Sequence, residues 1–134
     1  MQKIAVLDAN AVLRYVITDN KEQADVVKEI LLNREVLILP EVIAEVVYVL
    51  TKFYNYSIDL TVNAILCFLE DAKCDDAVVI NAVTMFGKLN MDFVDCILCE
   101  YSKNPQYEII TFDKKLLKAI ESDTAGGCGI AQEK

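Results

Sequence analysis

Two hydrophobic patterns alternate along this chain. Short apolar runs, Lys3-Ile4-Ala5-Val6-Leu7 and Val36-Leu37-Ile38-Leu39, stop at Asp8 and Pro40 and read as buried parallel strands. Between and beyond them, apolar residues recur every three or four positions, the period of a half-buried helix. That period predicts a helix from Asn10 to about Ile17, and a second from a cap at Asp19 or Asn20 through Asn33, with Ala24, Val27, Ile30 and Leu31 inward. After Pro40 it continues through Val42, Val46, Val49, Leu50 and Phe53, and again from Asp59 through Asp71.

The second half repeats the alternation. Asp76 to Phe86 carries both signals: Val78-Val79-Ile80 suits a strand, but a cap at Asp75 or Asp76, apolar positions through Val83 and Phe86, and Gly87 as a stop predict a helix. A very short strand near Lys73 to Asp75 precedes it. Met91 to Ser102 is helical, Glu108-Ile109-Ile110-Thr111 reads as another strand, and Lys114 to Ile120 as a terminal helix. Residues 122–134, with Gly126-Gly127 and Gly129, read as a loosely ordered tail. Strands alternating with helices predict an α/β chain with three layers, α/β/α, around a central parallel sheet of four strands, in one domain over residues 1–134.

Composition narrows the setting. With 134 residues, 54% of them hydrophobic, the chain is long enough for one substantial core. No apolar run approaches the roughly 20 residues of a membrane helix, and the first residues lack a signal-peptide pattern, so a soluble, cytoplasmic protein is expected. The odd set Cys67, Cys74, Cys96, Cys99 and Cys128 points to reduced thiols. Cys96 and Cys99 have CxxC spacing, but zinc would need two more ligands from distant segments of a chain without histidine, so structural thiols are the better reading. A net charge of -8 disfavours loose binding to nucleic acid, although Arg14, Lys114, Lys115 and Lys118 remain to steer a phosphate backbone.

The candidate chemistry lies in four acids beside structural punctuation: Asp8, Glu45, Asp95 and Asp113. Oxygen donors without histidine suit Mg²⁺ or Mn²⁺. Asp8 and Asp113 follow expected strands, where ligand crevices of open α/β sheets lie, and Glu45 and Asp95 sit near helix starts that can face the same edge. Four carboxylates converging there would repel one another without a cation. Each also has a plainer role: Asp8 a turn residue, Glu45 a solvated helix residue, Asp113 an N-cap. Asp92, one helical turn before Asp95, competes with it or simply complements the helix N-terminus.

Taken in order, Val6-Leu7-Asp8-Ala9-Asn10 with Leu13-Arg14-Tyr15, the Pro40 to Glu45 segment, Asp92-Phe93-Val94-Asp95 and Thr111-Phe112-Asp113 resemble the PIN domain family, in particular its small VapC-like toxins. The resemblance spans roughly residues 3 to 118. It implies a metal-dependent ribonuclease with Asp8, Glu45, Asp95 and Asp113 as its acidic cluster, the metal held by Asp8, Asp95 and Asp113. Asn10 and Thr111 match supporting positions, and Asp92 an additional acid of some members. The resemblance further implies a homodimer, with Ile43, Val47, Tyr48 and Tyr54 as surplus apolar surface, and an antitoxin partner. Family members commonly add a fifth strand, for which Ser122 to Lys134 offers no pattern. Two other readings remain: a non-catalytic module of the same fold that binds RNA or protein, and an aspartate-based phosphatase or receiver domain. The last is weakened by Asn10, where a phosphatase has a second acid, and by the missing early acidic pair of a receiver.

Overall fold

Ala5 and Val6 lie beside Val36 and Leu37 in a parallel ladder, with the Ala5 N–H donating to the Glu35 carbonyl at 2.9 Å. These strands, β1 (Ala5–Val6) and β2 (Val36–Leu37), form a two-stranded sheet in the computed structural model, which describes residues 2–124. The crossover between them is made of α1 (Ala9–Ile17) and α2 (Lys21–Asn33), as a parallel pair requires. Then follow α3 (Pro40–Lys52), α4 (Ile58–Asp71), α5 (Ala77–Lys88), α6 (Phe93–Ser102) and α7 (Lys114–Thr124).

Side-chain caps explain where most of these helices begin. Asn20 accepts from the Gln23 N–H, Ser57 from Leu60, and Asp76 from Val78 and Val79, each satisfying donors that a helix start leaves free. Pro40 opens α3, where its missing N–H costs nothing. The core is mainly helical. Ile43, Val46 and Leu50 of α3 meet Ile65, Phe68 and Leu69 of α4, Val79 and Val83 of α5, and Cys96 of α6, all essentially without solvent contact. Helix α6 packs on α3, α5 and α7, which brings the start of α6 beside both α3 and the α7 N-terminus.

The expected four-stranded sheet is not found among the described residues. Near Lys73 the chain closes α4 instead of extending: Lys73 takes a left-handed φ of 56°, and the Lys73 and Cys74 N–H groups return to the Glu70 and Leu69 carbonyls. Ile109, Ile110 and Thr111 join no ladder either. Ile109 packs against the core, but Ile110 and Phe112 face solvent, Phe112 at 98% exposure, so one inward residue anchors the segment. The first two strands are also shorter than their apolar runs, because Leu7 and Ile38 are buried outside the ladder.

Three smaller expectations change as well. Gly87 does not stop α5, which runs through Lys88; a Cβ there would come within 3.2 Å of a Val62 methyl, so the glycine permits close packing of α5 on α4. Ile43 and Val47 are core residues, not surplus surface, whereas Tyr48 and Tyr54 are exposed. Ser122 to Thr124 finish α7, and the rest of the expected tail, with Cys128, lies outside the described residues.

Candidate functional site

The acids singled out in the sequence sit at helix starts, and the helices use them differently. Asp8 caps α1: its Oδ1 accepts from the Ala11 N–H at 2.9 Å. Asp113 caps α7, its Oδ1 accepting from Lys115 at 2.9 Å and Leu116 at 3.2 Å. Thr111 shapes that turn, its Oγ1 accepting from the Asp113 N–H at 3.0 Å. Asp92 occupies the N-cap position of α6 but makes no side-chain cap bond, so its carboxylate is not spent on the helix. Asp95 follows in the first turn of α6.

Between α3 and the starts of α6 and α7 opens a cleft of about 760 Å³ that gathers Asp92, Asp95 and Asp113 with Lys52, Asn90 and Lys115. The Asp95 carboxyl titrates above the usual carboxylate range, first because it is partly desolvated and then because Asp92 and Asp113 stand near it; Lys115 opposes the shift. Asp8 and Glu45 are exposed and do not line this cleft, and Asn10 is exposed in the first turn of α1. Of the seven acids and supports named from the sequence, the cleft therefore unites three.

Those three suit a hard divalent cation by their chemistry, since they are oxygen donors in mutual repulsion, and Asp92 is uncommitted to a cap. As the side chains stand, no three His, Cys, Asp or Glu residues among those described are grouped to hold a metal ion by themselves. An ion such as Mg²⁺ keeps several waters and takes only one or two carboxylates directly.

The basic residues sort in the same way. Arg14 is engaged by Asp19 at 3.1 Å, and Lys114 and Lys118 are exposed away from the cleft lining, which leaves Lys115 as the expected steering cation that reaches the site. Lys52, Tyr56 and Asn90 were not foreseen as site residues. For Lys52 the signal was present: Glu45, Tyr48 and Lys52 are spaced three and four apart, along one stripe of α3. The CxxC pair serves the core. Cys96 and Cys99 are buried, and burial pushes the Cys96 thiol up to about 12.

No helix among the described residues is long and apolar enough to cross a membrane. No curated protein and no solved structure matches the chain. The family model of the PIN domain matches residues 5–121, nearly the whole of the described chain, and this protein therefore belongs to the PIN domain family, with its α/β fold.

Proposed function

We propose that this protein is a Mg²⁺- or Mn²⁺-dependent endoribonuclease that cleaves single-stranded RNA. PIN domains are commonly metal-dependent nucleases. The observation that carries the reading to this chain is the cleft in which Asp95 is crowded by Asp92 and Asp113 beside Lys115. Asp95 and Asp113 would hold the cation directly or through water, and Asp8, which caps α1 and does not line the cleft as it stands, would complete the acidic set. When bound, it supplies a Lewis acid that lowers the pKa of water and offsets charge building on the phosphoryl oxygens. Glu45, whose side chain does not line the cleft as it stands, would orient the attacking water and take its proton, and Asp92 would add negative charge that favours cation binding. Lys115 attracts the phosphate and compensates the carboxylates around it.

The same reading makes the chain the toxin of a toxin–antitoxin pair, acting as a homodimer. A partner segment that places Arg or Lys among the carboxylates competes with the cation and shuts the site. The test is incubation of the purified chain with a single-stranded RNA pool in Mn²⁺, in Mg²⁺ and in excess EDTA. Cleavage in either metal that stops on chelation supports the reading; cleavage that survives exhaustive chelation contradicts the metal mechanism.

A further inference from the structure

Helix α3 buries Ile43, Val46, Val47 and Leu50, and turns a different stripe outward. Along that stripe come Glu45, then Tyr48 about 4.5 Å further up the axis, then Lys52 about 6 Å beyond, by the rise of an α-helix. Tyr48 is 56% exposed although it lines the acidic cleft, and its ring is steadied edge-to-face by Phe53 at 5.9 Å between centroids. Across the same cleft wall Tyr56 is packed against the core. Lys52 forms no ion pair among the described residues, and neither does Lys115. Thr51, also in the lining, spends its hydroxyl on the Val47 carbonyl at 2.8 Å and offers no comparable contact.

Taken by itself, an acid-lined cleft should repel a polyanion and attract a cationic peptide. Lys52 and Lys115 offset part of that charge from α3 and α7, and an exposed aromatic ring one turn from an ammonium offers contacts for both surfaces a nucleotide presents, a π-face and a phosphate. We propose that Tyr48 and Lys52 form a nucleotide subsite: a base of the single strand stacks on the Tyr48 ring, its phosphate meets the Lys52 ammonium, and the strand then runs toward Asp95 and Asp113. This rests on the nucleic-acid substrate proposed above and adds the residues that position it. Stacking is tolerant of base identity, so the subsite sets how the strand lies in the cleft more than which sequence is chosen. Lys52 is a positioning residue here, and the hydrolysis does not pass through it.

The experiment is fluorescence anisotropy of a short, end-labelled oligouridylate on the full chain in the Asp95→Asn background, with Mg²⁺ present, where the proposed hydrolysis is halted. Tyr48→Ala should weaken binding roughly tenfold to a hundredfold, and Tyr48→Phe, which keeps the ring, should bind like the parent. Lys52→Ala should flatten the dependence of log affinity on log salt by about 0.7, the loss of one phosphate contact on a single strand. An abasic oligomer of the same length should be insensitive to Tyr48→Ala. Equal oligouridylate binding by the parent and Tyr48→Ala overturns the subsite and leaves the ribonuclease reading standing. Ring-dependent binding by a wild-type chain that cleaves nothing in either metal overturns the ribonuclease reading and leaves the subsite. Failure of the parent to bind the oligomer also overturns the subsite.

Discussion

Two concave regions among the described residues treat their carboxylates in opposite ways. In the pocket between α1, α2 and α4, acids are answered from within the chain: Asp71 accepts from the Tyr15 hydroxyl at 2.5 Å, and Asp25 pairs with Lys21 at 3.0 Å. Tyr15 is held so well as a donor that its hydroxyl is pushed up to about 12, chiefly by that hydrogen bond. In the cleft between α3, α6 and α7, the acids answer to one another. Asp95 is raised first by partial burial and then by Asp92 and Asp113, and Lys115 reaches it only through space. Paired acids describe a finished piece of structure, whereas crowded ones store repulsion that a cation relieves. The comparison therefore favours the second region over the first as the place of the proposed chemistry.

The largest effect that would sharpen the contrast is on activity. Asp95→Asn should reduce RNA cleavage on the order of 100-fold or more, since it removes a proposed cation ligand, while Tyr15→Phe in the other pocket should leave the rate unchanged. Comparable losses in both variants, measured as initial rates on one oligonucleotide, would erase the distinction between the regions.

Next in size are losses of stability. Asp8→Ala should cost about 1 kcal/mol because it uncaps α1, but Asp8→Asn should keep the cap and lose the cleavage. Urea melts of both variants, set beside their rates, separate the structural duty of Asp8 from its chemical one. Full activity in Asp8→Asn would leave Asp8 as a cap alone. Tyr15→Phe should cost about 1 kcal/mol or less, as expected for one partly exposed hydrogen bond.

The smallest effect is on pH dependence. Because the Asp95 carboxyl is raised from 3.8, the folded chain holds that proton more tightly than the unfolded chain does. Its contribution to stability therefore falls as pH rises from 3.8 through the raised folded value, and stays unfavourable above it. In EDTA, Asp95→Asn should remove that fall and melt above the wild type at neutral pH. A lower melting temperature in metal-free buffer would show that Asp95 is held by favourable contacts and not crowded.

What was legible in the sequence follows from which signals are local. Helix starts are written in single residues, and Asn20 and Asp76, each one of two adjacent cap candidates in the sequence, cap α2 and α5. Strand pairing is not local. The run Glu108 to Thr111 has the composition of a strand, but a ladder needs a partner at hydrogen-bonding distance, and composition reports burial at most. Gly87 misled for a related reason: a stop signal and a close-packing glycine look alike until Val62 of the neighbouring helix is in place.

The site was legible to the same extent. Asp95 and Asp113 could be picked out because each stands at an element boundary, and the packing of α6 on α7 joins them. Asp92 reads in the sequence either as an additional acid of the cluster or as a helix-start charge, and the missing cap bond sets it apart from Asp8 and Asp113. Lys52 carries only the weak signal of its stripe with Glu45 and Tyr48, since a lysine in the last turn of a helix is common for electrostatic reasons, and its relation to Asp95 depends on α3 lying against α6.

The most direct test of the central claim, that the crowded acids form a cation site, is thermal melting during a Mn²⁺ titration of the wild type, Asp95→Asn and Asp71→Asn. A cation bound only by the folded chain should stabilise the wild type saturably, by about 2.7 kcal/mol at a hundred times its dissociation constant. Asp71→Asn should keep that rise and Asp95→Asn should lose it. No rise in the wild type, or an equal rise in Asp95→Asn, would contradict the account.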